Sequence, residues 1–259
     1  MNNFIKSKRA QLALFIIIAL LIVIALLVLL FFGDSIKPWI TPKASQEYIR
    51  ECTQTATKEA LQKVEMQGGS LEPEHYLLYQ DNKVDYACYT EKYYETCVMQ
   101  KPFLKQNIEQ EVASYIEPKV KSCFESMKEQ LKRSGSEVAV QDIKTEAALS
   151  PNSIAITIRA PTSVRKQGAL SFENMKVNVK SEAYDLVMLA SSISNYEARY
   201  GDSNTVAYMM YYPDIKVEKI ERSDGRVYVL THKPSNEKFM FAVRSIAWPA
   251  GYLGVEDEL

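Results

Sequence analysis

Residues Leu12 to Phe32, LALFIIIALLIVIALLVLLFF, form a run of 21 positions without a charged, polar or helix-breaking side chain, and no other feature restricts the chain as severely. A helix of that length rises roughly 31 Å at about 1.5 Å per residue, close to the ~30 Å apolar thickness of a bilayer. The run therefore predicts a transmembrane helix. Lys6, Lys8 and Arg9 precede it and no acid occurs before Asp34. Basic residues beside a first span are held in the cytoplasm, so the rest of the chain is expected outside. A cleaved secretory signal is the competing expectation. Its apolar region is usually only about 7 to 15 residues and ends in a small-residue site, whereas this run ends Phe31-Phe32-Gly33-Asp34.

Just before the run, Lys8-Arg9-Ala10-Gln11 resembles the junction of archaeal class III (type IV pilin-like) signal sequences, in which a basic residue, a small residue and Gln are cut before the Gln. The resemblance implies processing between Ala10 and Gln11 and an apolar helix free to assemble. The chain departs from that pattern at Phe15, where such proteins carry Glu. It departs again at Gly33, Pro38 and Pro42, which interrupt the helix that a filament subunit continues into its head. More loosely, the whole chain is similar to single-pass membrane proteins of small-genome archaea that combine a basic N-terminus, a Gln before the span and a Cys-bearing helix ending in Gln-Gly-Gly, here Gln67-Gly68-Gly69. That resemblance implies an origin and no activity.

Charge narrows the partners. Three of the 31 Lys+Arg precede the run and none of the 32 Asp+Glu does, so residues 34–259 carry a formal charge of −4. Nucleic acid demands a concentrated basic patch and is not an expected partner. The expected partners are the lipid bilayer and a protein or cell-envelope component.

The four cysteines, Cys52, Cys88, Cys97 and Cys123, lie at intervals of 36, 9 and 26 residues. These are not the short C-x2-C spacings of a metal site, and an even count outside the cytoplasm favours disulfides. Buried free thiols are the alternative. Ser45 to Met66 reads as an amphipathic helix with Ser45 as N-cap, apolar positions at Ile49, Cys52, Ala56, Ala60 and Val64, and Gly68-Gly69 as its end. A second helical pattern runs from Pro102 to Arg133 through Leu104, Ile108, Val112, Tyr115, Ile116, Val120, Phe124, Met127 and Leu131, with Pro118 predicting a kink or break. Four cysteines allow three pairings. If the two helices pack antiparallel, Cys52 falls beside Cys123, which leaves Cys88 for Cys97.

Between the helices, Tyr76 to Cys97 holds six of the 16 tyrosines: Tyr76, Tyr79, Tyr86, Tyr89, Tyr93 and Tyr94. Asp81-Asn82 predicts a hairpin turn. Tyrosines combine apolar area with a hydroxyl, making this the candidate interaction patch; the competing expectation is that they cover the helical layer. The second half is β-prone over Val138–Leu149, Ser153–Ala160 and Ala169–Val179, with a polar loop over Thr162–Gly168. It turns helical over Ser181–Tyr200, loops through Tyr211, Tyr212 and Pro213, and returns to strands over Ile215–Glu221, Arg226–His232 and Lys238–Ile246.

The expected architecture is α+β: a single N-terminal transmembrane helix, then a helical, disulfide-containing layer, then a mainly antiparallel sheet with one covering helix. Its boundaries are a basic cytoplasmic segment 1–11, a span 12–32, a linker 33–45, a helical subdomain 46–136 and an α+β sheet subdomain 137–259. Only His75 and His232 occur, without H-E-x-x-H, and there is no G-x-S-x-G, Walker or G-x-G-x-x-G motif. Carboxylate pairs such as Asp81 with Asp85 have the groups for glycoside hydrolysis or Ca²⁺ binding, but nearness in sequence supplies neither the separation nor the burial that such chemistry needs. No catalytic residue, cofactor or metal site is expected. The expectation is a membrane-anchored extracytoplasmic structural or interaction protein; a pilin-like subunit and a cell-surface hydrolase are the alternatives.

Overall fold

A computed structural model describes residues 17–23, 42–92, 94–166, 168–222 and 224–245. The chain divides into two compact units, residues 1–41 and 42–259. In the first, residues 17–23 are helical with their apolar side chains exposed. The remainder of the expected span 12–32, the basic segment, the Ala10-Gln11 junction and the linker up to Thr41 lie outside the described residues. Among the described residues no helix is long and apolar enough to cross a membrane.

The second unit is α+β. Helix α1 spans Pro42–Met66, so Ser45 is not its N-cap: the chain is already helical three residues earlier and Ser45 is buried within it. Met66 is followed by Gly68 and Gly69 at φ +72° and +89°, a left-handed ending that only glycine adopts without strain. Helix α2, Leu104–Arg133, runs unbroken through Pro118. The proline ring lies on the exposed side of the helix, and the predicted break is absent. The buried face of α2 is Leu104, Ile108, Val112, Ile116, Val120, Cys123, Phe124, Met127 and Leu131, the predicted stripe with Cys123 added and Tyr115 only half-buried.

The two helices are antiparallel. Cys52 is bonded to Cys123, Glu59 pairs with Lys119, and Lys63 lies over the Tyr115 ring at 5.9 Å, so one sequence ascends as the other descends.

Strands form two sheets where one was expected. In the first, β1 (Tyr76–Tyr79), β2 (Asn82–Tyr89), β10 (Lys238–Arg244), β9 (Gly225–His232) and β8 (Ile215–Arg222) are neighbours in that order, and β3 (Val98–Met99) also pairs with β2. All pairings are antiparallel except β2 with β10, which is parallel, with Ala242 opposite Tyr86 and Arg244 opposite Tyr89. The β1–β2 turn falls at Gln80-Asp81, one residue before the predicted position. Both residues have positive φ, 47° and 62°, as the tight hairpin turn requires.

The central strands of this sheet, β2, β10 and β9, are buried on both faces. Leu77, Val84, Tyr86, Val227, Val229, Met240 and Ala242 cluster on one. Helix α3, Ala183–Tyr200, packs over Phe239, Phe241 and Tyr228 on the other. Two-sided burial explains why Phe239 to Val243 reads as a continuous apolar run rather than an alternating one.

The second sheet is built on the long strand β6 (Ser153–Lys166), paired along its length with β7 (Gly168–Lys180). On its other edge β5 (Lys144–Ser150) and β4 (Glu137–Val140) sit in tandem. Thr162–Gly168, expected as a loop, is therefore mostly strand. Ile154, Ile156 and Ile158 are buried while Ala155, Thr157 and Arg159 are not, the one-wet-face pattern that their alternation predicts. Helix α2 covers β4 and β5, and α1 touches both β7 and β10. A short helix α4, Thr205–Tyr211, occupies the expected loop; the Asn204 side chain caps it, accepting from the backbone N–H groups of Val206 and Ala207.

The line expected between residues 136 and 137 does not divide this unit. Strand β2, from the hairpin expected within the helical subdomain 46–136, is joined to β10 at the far end of the chain, and residues 42–259 form one compact unit.

Candidate functional site

The cysteines are paired as Cys52–Cys123 and Cys88–Cys97, with Cα separations of 6.5 and 5.4 Å, and none is free. The first bond crosses the helix pair at the floor of an open groove of about 520 Å³, beside Tyr48, Glu51 and Ser122. The second ties the end of β2 to the approach to β3, and both of its sulfur-bearing residues are buried.

The six tyrosines are not presented together. Tyr86 is buried and Tyr79 and Tyr89 pack half-buried against the first sheet's core, whereas Tyr76 and Tyr94 are exposed and Tyr93 lies outside the described residues. Three aromatic rings do converge: His75 lies 4.9 Å from Tyr86 and 4.1 Å from Tyr89, and the two tyrosines are 5.0 Å apart. The Tyr86 hydroxyl donates to the Asp224 carbonyl at 2.9 Å, and burial together with nearby Asp224 pushes its pKa up to about 12. Arg244 donates to the Tyr89 hydroxyl and the Thr90 carbonyl at 3.2 and 3.0 Å. This cluster holds the hairpin to the sheet.

Asp81 and Asp85 do not form a pair. Asp81 is exposed in the turn, and Asp85 is buried against the Lys101 ammonium and the Ser70 hydroxyl, which donates to it at 2.7 Å. His232 shares a hydrogen bond with Ser235 at 2.8 Å in the β9–β10 turn. Among the described residues no group of three or more His, Cys, Asp or Glu could hold a metal ion.

Two carboxyls buried within helices, Glu197 and Glu65, escaped the sequence reading, because each looks like an ordinary polar position of an amphipathic helix. Glu197, fully buried in the last turn of α3, accepts from the Ser203 N–H at 3.0 Å, from Arg226 at 3.0 Å and from the Tyr228 hydroxyl. Burial raises its pKa, against the opposing pull of Tyr228 and Arg226. These bonds tie the end of α3 to β9 and to the connection that follows the helix.

Glu65 differs. It is 6% exposed, and its Oε1 has no hydrogen-bond partner. Burial, and then the nearby Glu237, raise its pKa well above the ordinary carboxylate value. It lines a cavity of about 410 Å³ between α1 and the β9–β10 turn, shared with Lys58, Lys180, Glu237 and Lys238.

Comparison of the chain with protein-family models, with curated proteins and with solved structures returns no match.

A surface that the sequence did not single out lies at α4. Val206, Met210, Tyr211 and Tyr212 are 50–84% exposed, and the Tyr196 and Tyr200 rings of α3 lie 4.6 Å apart, tilted at 48°, with Tyr200 62% exposed. The short helix is joined to α3 by a Ser192–Tyr208 contact of 3.5 Å. Exposed aromatic and methionine side chains held on ordered elements are the composition of a protein-binding surface.

Proposed function

We propose that the chain is a membrane-anchored protein whose unit 42–259 lies outside the cytoplasm and docks a protein or cell-envelope partner. The observation that carries this reading is the complete pairing of the cysteines, because such bonds persist in oxidising compartments and are rare where thiols are kept reduced. The apolar run 12–32 supplies the anchor and the preceding basic residues its orientation. The Met210–Tyr211 surface supplies a docking face of suitable chemistry.

Proteolysis of intact cells, combined with mass mapping without reduction, tests the location. The expected result is loss of the 42–259 unit from outside the cell, with Cys52–Cys123 and Cys88–Cys97 fragments recovered linked. Free thiols in protein from cells, or cleavage only after lysis, would overturn the reading. The same spectra report whether the mature chain begins at Met1, as an uncleaved anchor requires, or at Gln11, as a pilin-like subunit would.

A further inference from the structure

We propose that the cavity between α1 and the β9–β10 turn is a binding site for a small oxyanion, held by the Glu65 carboxyl at its floor and by Lys58, Lys180 and Lys238 around it. The geometry makes the case. Glu65 is buried, lines the cavity and keeps Oε1 unpartnered. A buried polar oxygen without a partner is costly, and natural folds seldom leave one unless something else supplies the bond. The three lysines approach from three separate elements, α1, the end of β7 and the start of β10, and make no ion pair among the described residues.

The charges facing the cavity are those three lysines and Glu237, with Glu65 the only other ionisable group lining it. Glu237 is already engaged: its Oε2 accepts from the Glu182 N–H at 2.6 Å and from Ser235 at 3.4 Å. His232 touches the same turn through Ser235. A protonated Glu65 leaves three positive charges against one negative and presents an O–H donor, which a ligand oxygen satisfies. An ionised Glu65 offers no donor and repels an anion. A cation is disfavoured by the lysines, and a sugar by the lack of any aromatic side chain lining the cavity.

The raised pKa of Glu65 sets the pH window. Binding is present below that value and declines as pH climbs through it. Sulfate is a suitable probe because its charge does not change across the neutral range, and acetate run in parallel separates a preference for tetrahedral oxyanions from one for carboxylates. The experiment is calorimetric titration of the full chain in detergent with each anion, at constant ionic strength set by chloride. Saturable one-to-one binding of at least one anion is expected at acid pH, weakening by about tenfold or more toward alkaline pH. Lys180→Met should weaken it, and Glu65→Gln, which keeps a donor and cannot ionise, should bind equally at both ends of the range. Thermal unfolding of both variants verifies that each is folded. The inference fails if neither anion saturates at acid pH, if Lys180→Met binds as the wild type does, or if the pH dependence survives unchanged in Glu65→Gln.

Discussion

Tyr228 donates to a carboxylate that has no access to water, and the consequence of removing one oxygen atom follows from that. Tyr228→Phe preserves the stacking on Phe241 at 5.0 Å but leaves Glu197 short of a donor in the interior. The expected loss is about 1–3 kcal/mol, measured by chemical unfolding. A carboxyl with a pKa raised by folding costs the fold nothing below its ordinary value and progressively more as pH rises through the raised one. Removing a group that lowers the Glu197 pKa widens that interval, so the Tyr228→Phe deficit should be larger at pH 8 than at pH 4. Glu65 obeys the same sign with no compensating donor. Glu65→Gln should therefore unfold at a higher temperature than the wild type near neutral pH in sulfate-free buffer and at the same temperature near pH 4, each kcal/mol appearing as roughly 2 to 4 °C in calorimetry. Gly68 answers to sterics alone. At φ +72° a Cβ would stand 2.9 Å from the backbone N and O of Asp85, so Gly68→Ala should cost on the order of 1–3 kcal/mol and disturb the Asp85–Lys101 pair with it.

The helices were the most legible elements, since their signal is local. The stripe from Leu104 to Leu131 repeats every three or four residues whatever the helix packs against, and the Cys52–Cys123 proximity follows from placing two such stripes antiparallel. Strand ends and turns depend on partners distant in sequence. Thr162 to Lys166 is polar enough to read as a loop, and its strand conformation comes from pairing with β4 on one edge and β7 on the other. Neither buried glutamate could be recognised, because helical periodicity places a residue on a face without saying what lies opposite. The helix crosslink also makes a quantitative prediction. It closes a loop with a sequence separation of 71, against 9 for Cys88–Cys97. Chain-entropy arguments assign them roughly 4 and 2.5 kcal/mol. Replacing Cys52 and Cys123 together by Ala should lower the unfolding midpoint more than replacing Cys88 and Cys97, as read from parallel denaturant titrations of the two double variants.

At the level of the whole unit, the parallel pairing of β2 with β10 decides whether the chain can be divided. Residues 137–259 contain β8, β9 and β10 with their covering helix α3, and composition alone presents them as self-sufficient. Yet the edge of β10 is completed by Tyr86, Cys88 and Tyr89, the cluster around Met240 and Ala242 is closed by Leu77, Val84 and Tyr86, and the second sheet rests on α1 and α2. Cutting at residue 136 would expose a sheet edge on one fragment and strip the cover from an apolar sheet face on the same piece. It would leave the other with two helices and a hairpin whose tyrosines have lost their floor. Exposed edges and uncovered apolar faces associate rather than fold. Residues 34–136 and 137–259 expressed separately should thus each lack cooperative thermal unfolding, and mixing them under oxidising conditions should restore it, along with protease resistance of strand 82–89. A cooperative transition in residues 137–259 alone would instead place the stability of the unit in its C-terminal meander and make the β2–β10 pairing an accessory contact.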